Sequence, residues 1–68
     1  MDNETLNLSI RKFLKMVGVN SQREIEQAVQ RALATGSLAG SKSLAATMIL
    51  DVPELKLNVK FDGDITLN

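Results

Sequence analysis

Residues 36–43 read Gly-Ser-Leu-Ala-Gly-Ser-Lys-Ser, and the spacing of apolar side chains differs on the two sides of this stretch. Before it, apolar residues recur every three to four positions, which is typical of one face of an α-helix. After it, they recur at every second position, which is typical of a β-strand with one covered face. The Gly- and Ser-rich stretch itself resembles a linker, with Leu38 expected to pin it to the core. The sequence therefore predicts one small α+β domain over residues 1–68.

The first helix is predicted over about residues 4–17. Its apolar residues lie at offsets of 4, 7, 8 and 11 from the first and are Leu6, Ile10, Phe13, Leu14 and Val17. The helix dipole favours anions at the start of this segment, where Asp2 and Glu4 lie. Gly18 suits the left-handed position that follows many helices. The acidic residues at the start, the apolar face and the glycine at the end all favour a helix that ends at Gly18.

The second helix is predicted over about residues 22–35. Ser21 and Glu24 have the spacing of a capping box, in which each side chain accepts an amide of the first turn. One face then carries the apolar residues Ile25, Ala28, Val29, Ala32 and Leu33. Gly36 is placed to end the helix. Because the turn at 18–21 is short, we expect both helices to pack side by side on the sheet, around a shared core.

The C-terminal half predicts an antiparallel sheet of two to three strands, at about 43–51, 55–61 and 64–67. A four-residue turn at 51–54 would place Leu50 opposite Leu55 and Leu44 opposite Phe61, with all apolar pairs on one face. A three-residue loop at 62–64 would then put Ile65 on the same face. The alternative, a two-residue Asp-Gly turn, conflicts with the apolar pattern.

The residue types present exclude several kinds of site. The chain contains no Cys and no His, so disulfides, thiolate or imidazole metal ligands and His-assisted nucleophiles are excluded. Asp62 and Asp64 flank Gly63, and the preferred interpretation is turn chemistry rather than a weak cation site. Residues 36–43 lack the Gly-Lys pair and the following helix that a phosphate-binding loop needs. We expect no enzyme activity, no cofactor and no metal.

The predicted function is protein interaction. In the first strand, Ala45, Thr47 and Ile49 lie on the face away from the core and are largely apolar, so they form a candidate interaction surface bordered by Lys56 and Lys60. An exposed Ile49 without a partner is the plainer interpretation. The expected partner is a second copy, giving a homodimer, or another protein.

The alternative function is nucleic-acid binding through a helix-turn-helix-like N-terminal half. Residues 5–42 carry six basic and two acidic side chains, whereas residues 51–68 carry two basic and four acidic ones. The candidate contacts are Arg11, Lys12, Lys15, Arg23, Gln27 and Arg31. Glu24 and Glu26 would meet phosphates on the same helix, and the net charge is zero. Solvation of an outer face is therefore the favoured interpretation of these residues.

The chain is expected to be a soluble cytoplasmic protein. Its first residues, Met1 to Glu4, are acidic rather than basic, and every apolar run is too short for a signal or a membrane span. Basic residues beside the first apolar stripe also suit a helix on an anionic membrane. Packing in a core is favoured because the sheet needs an apolar surface to cover it.

Several short motifs lie between residues 7 and 29: SIRKFLK at 9–15, VG at 17–18 and SQREIE at 21–26. In these motifs the chain resembles a family of short uncharacterised bacterial proteins, classed as a domain of unknown function. The likeness continues through Ala32-Leu33, Gly36, Leu38, Gly40 and Gly63-Asp64-Ile65. The resemblance implies a bacterial, self-standing small protein and carries no activity, ligand or catalytic residue.

Overall fold

The N-terminal half of the chain is a single helix. The computed structural model describes residues 1–38, 40 and 42–68, so positions 39 and 41 of the predicted linker lie outside the described residues. Helix α1 runs without a break from Asn3 to Thr35. The predicted pair of helices, 4–17 and 22–35, with a turn at 18–21, is therefore wrong. The predicted arrangement of two helices packed on a sheet is wrong as well.

Helix α1 continues through Gly18 because both apolar stripes lie on one face. Ile25 and Ala28 follow Val17 at offsets of 8 and 11, the same offsets that occur within the first stripe. A glycine inside a helix costs about 1 kcal/mol relative to alanine. If the helix ended at Gly18, the backbone hydrogen bonds of about one helical turn before and one after Gly18 would be lost. Ser21 and Glu24 are consequently interior helical residues and not a capping box.

Both ends of α1 are capped. The Asp2 carboxylate accepts the amide of Glu4 at 3.0 Å, and the Thr5 hydroxyl donates to its second oxygen at 2.8 Å. At the other end, Gly36 adopts the left-handed conformation with φ of 78°. The amides of Gly36 and Ser37 donate to the carbonyls of Leu33 and Ala32, which is a Schellman motif. The prediction that Gly36 ends the helix is confirmed.

The C-terminal half is a two-stranded antiparallel hairpin. Strand β1 spans Ser43–Val52 and strand β2 spans Leu57–Thr66. A 3-10 turn, Pro53–Leu55, and Lys56 in the left-handed conformation join them. Leu50 pairs with Val59, and Met48 pairs with Phe61. The predicted turn at 51–54 is wrong, since the true loop starts two residues later, and each β1 residue has a partner four residues further along than expected.

The predicted third strand is also wrong. Strand β2 continues through Asp62-Gly63-Asp64 in place of the expected loop. Gly63 lies opposite Ala46, and Asp62 accepts a hydrogen bond from the Thr47 hydroxyl across the hairpin at 2.9 Å. Since the register shift is an even number of residues, the apolar residues of both strands still share one face, as predicted.

The helix and the hairpin form an open, elongated arrangement. The longest dimension is 51 Å, which is the length expected of a helix of 33 residues, and the radius of gyration is 16.1 Å. A compact chain of this length has a radius of gyration of about 11 Å. None of the described residues is buried, so the predicted core is not formed within one chain.

Candidate functional site

An open groove lies between the C-terminal half of α1 and the apolar face of the hairpin. Its volume is about 940 Å³. The helical wall consists of Asn20, Ser21, Glu24, Ile25, Ala28, Val29 and Ala32. The opposite wall consists of Leu44–Met48 and Phe61–Ile65, and Leu38 also lines the groove. The Schellman turn at Gly36 ends the helical wall, and the hairpin wall begins with β1 at Ser43.

Large apolar side chains of the groove are open to water. Phe61 is 55% exposed and Met48 is 46% exposed, although the two are paired on the apolar face of the hairpin. Ile25 contributes a third exposed apolar side chain from the helix. Aromatic and long aliphatic side chains around a concave surface are typical of a site that takes up an apolar ligand or segment. We refer to this site as the groove.

A second apolar surface lies on the N-terminal half of α1. We call it the N-terminal stripe, and it consists of Leu6, Ile10, Phe13, Leu14 and Val17. Leu14 is 54% exposed and Phe13 is 50% exposed. None of these five residues lines the groove. The sequence pattern correctly identified them as one helical face, but the expected sheet does not cover them.

The candidate surface on β1 is brought together only in part. Ala45, Thr47 and Ile49 lie on one face by strand alternation, and Lys60 pairs directly with Ile49, which is 62% exposed. Lys56 lies beyond the strands, in the turn.

Acidic residues that the prediction did not include share this second face of the hairpin. Asp64 pairs with Ala45, and Asp62 accepts the Thr47 hydroxyl. Lys60 Nζ lies 3.7 Å from Asp62 Oδ1 in an exposed ion pair. This face is therefore mostly polar. Among the residues described, no three acidic side chains are grouped as a metal site would require.

The candidate nucleic-acid contacts do not converge. Arg11 and Arg31 are separated by about 30 Å along the axis of α1, and the six residues spread over about 200° of its circumference. The continuous helix also removes the helix-turn-helix geometry on which that alternative rested. Nucleic-acid binding stays a prediction without a formed site.

The resolved pKa shift belongs to the helix cap. The pKa of Asp2 is lowered from its ordinary value of 3.8, mainly because the Thr5 hydroxyl donates a hydrogen bond to its carboxylate. The amides of Thr5 and Glu4 act in the same direction. This perturbed group lies at the N-terminus of α1, away from the groove, and it stabilises a helix end.

Sequence reasoning missed the groove because it assigned Met48, Phe61 and Ile25 to a closed core. The lengths of the helix and of the strands could have indicated the groove. A helix of 33 residues extends about 50 Å, whereas a strand of ten residues extends about 34 Å. A hairpin of that size leaves part of the helix uncovered, and the in-phase stripes across Gly18 indicated such a helix.

A long helix followed by a hairpin, with an apolar groove between them, defines a small α+β protein. The chain belongs to a family of unknown function, DUF6494, whose model matches residues 1–68. This agrees with the resemblance to a domain of unknown function. No curated protein matches the chain, and no solved structure does. Helix α1 is not apolar enough to cross a membrane, and no other helix of the described part of the chain is long enough.

Proposed function

We propose that this chain is a non-catalytic protein-interaction module that acts as a homodimer. The supporting observation is the amount of surface left open. The accessible surface of the chain is 6100 Å². A compact monomer of 7.4 kDa exposes about 4,200 Å², so the chain exposes about 1,900 Å² more than its mass requires.

The excess surface is large enough for a stable interface. A standard protein interface covers about 800 Å² on each partner. Apolar surface drives association in proportion to the area removed from water, and the N-terminal stripe and the groove supply such surface. A domain of this size is only marginally stable, and this chain has no cysteines for disulfides. Association with a second chain would supply the buried core.

Sedimentation equilibrium at micromolar concentration tests this proposal. We expect a dimer, and we expect Phe13→Glu to weaken it about thirtyfold, because a buried aromatic anchor typically contributes 2 kcal/mol or more. Ile49→Lys is the matched control, since Ile49 is also an exposed apolar side chain but lies on the second face of the hairpin. A strictly monomeric wild type with native helix content would refute the proposal. Dissociation by Ile49→Lys alone would move the interface to the β1 surface predicted from the sequence.

A further inference from the structure

The N-terminal stripe and the groove match in length. Leu6 to Val17 covers about 17 Å of helix, and the helical wall of the groove, from Asn20 to Ala32, covers about 18 Å. An amphipathic helix that lies in an apolar groove contributes side chains at i, i+3, i+4 and i+7. The stripe has this spacing in Ile10, Phe13, Leu14 and Val17.

The charges of the two surfaces are opposite. Arg11 and Lys15, four residues apart, border the stripe on the side of Leu14. Among the described residues that line the groove, Glu24 on the helical wall supplies an acidic side chain and none is basic, whereas the side chains of Asp62 and Asp64 lie on the second face of the hairpin. Complementary charges around an apolar contact orient two partners and exclude others.

The stripe of a chain cannot reach the groove of the same chain. Both lie along one continuous helix, so their separation is fixed by the rise of α1. A second copy offers the same two surfaces, and a two-fold axis would satisfy both contacts at once. With this two-fold axis, the stripe of each chain binds the groove of the other, so no stripe or groove is left open and the assembly closes at two copies.

We propose that the N-terminal half of α1 from one copy occupies the groove of a second copy, and that the exchange is reciprocal. This inference rests on the proposed homodimer and names its two contact surfaces. The N-terminal stripe of each chain would be buried in the partner's groove, and its own groove would be filled by the partner's stripe. Phe61 and Met48 would then become buried against the partner's helix.

A charge-swap experiment tests the pairing. The first variant is Arg11→Glu/Lys15→Glu and the second is Glu24→Lys. Each should dimerise at least about tenfold more weakly alone, because attractive pairs become repulsive in both copies of the contact. An equimolar mixture should regain wild-type affinity as a heterodimer, since the acidic stripe then meets the basic groove and the basic stripe meets the acidic groove. Arg23→Glu/Lys56→Glu is the matched control, with the same change in charge outside both surfaces, and should remain a homodimer.

The other outcomes separate this inference from the proposed function. If the wild type is a dimer but both variants keep its affinity, or if the mixture fails to recover it, the inference is wrong and the homodimer stands. If the wild type is monomeric, both proposals fail. Circular dichroism of each variant verifies that α1 remains helical.

Cross-linking supplies an independent readout, because the chain has no native cysteine. An Ile10→Cys chain is mixed with a Met48→Cys chain and treated with a short bismaleimide. Met48 lines the groove, whereas its neighbour Ile49 lies on the opposite face of β1, so Ile49→Cys is the matched control. We expect a mixed cross-link with Met48→Cys only. Equal yields with both chains would overturn the proposed geometry.

Discussion

Asp2 shows how one side chain fixes the start of the long helix. Its carboxylate accepts the Glu4 amide and the Thr5 hydroxyl, and these bonds favour its charged form. The sequence pattern placed Asp2 correctly near the positive end of a helix. It did not identify Asp2 as the cap, because it considered Asp2 and Glu4 only as charges near the helix start.

The first prediction concerns the pH dependence of this cap. Since the pKa of Asp2 is lower in the folded chain than 3.8, its contribution to stability is present above pH 3.8 and lost as the pH falls through the folded value. NMR signals of the Glu4 and Thr5 amides should titrate with a midpoint below 3.8. Thr5→Val should raise that midpoint, because it removes the largest cause of the shift. A midpoint at or above 3.8 in the wild type would contradict the assignment.

At the scale of the element, the apolar pattern determined faces better than it determined bounds. Strand alternation predicted the shared face of β1 and β2 correctly, and a shift of register by an even number of residues leaves that face unchanged. Register depends on the turn, and Pro53 begins a 3-10 turn that sequence reasoning placed two residues too early. Similarly, Gly18 was predicted to end a helix, but the helix continues through it because the apolar residues before and after it share one face.

A pair of glycine substitutions tests the continuity of α1. Gly18→Ala should stabilise the protein by about 1 kcal/mol, because alanine is the better residue inside a helix and the added Cβ has free space. Gly36→Ala should destabilise it by about 1 kcal/mol, because Gly36 has a left-handed φ of 78°. Denaturant unfolding measures both. Destabilisation by Gly18→Ala would instead favour a helix that ends at Gly18.

Lys56 gives the corresponding test of the hairpin register. Its φ of 52° is left-handed, so Lys56→Gly should stabilise the hairpin by up to about 1 kcal/mol. In the register expected from the sequence, Lys56 would lie inside a strand, where glycine is unfavourable. Chemical unfolding of Lys56→Gly therefore distinguishes the two registers by the sign of the change. A matched Lys60→Gly substitution, inside β2, should be destabilising.

At the scale of the whole molecule, the sequence predicted helix before hairpin but not the open shape. Apolar periodicity indicates which side chains are expected to be buried. It does not indicate whether they are buried by the same chain or by a second one. Leu6, Phe13, Met48 and Phe61 have the pattern of core residues and remain exposed in one chain. The residues of the candidate site were therefore recognised in the sequence as a core, and their proposed role as an interface rests on the shape of the molecule.

Thermal unfolding over a hundredfold range of protein concentration tests the central claim that the apolar surfaces are covered by association. For a folded state that exists as a dimer, the midpoint measured by circular dichroism should rise with concentration, by about 5 to 10 °C over that range. At the lowest concentrations, the helix signal should decrease as the dimer dissociates. A midpoint that stays constant, with full helix content at every concentration, would contradict the claim.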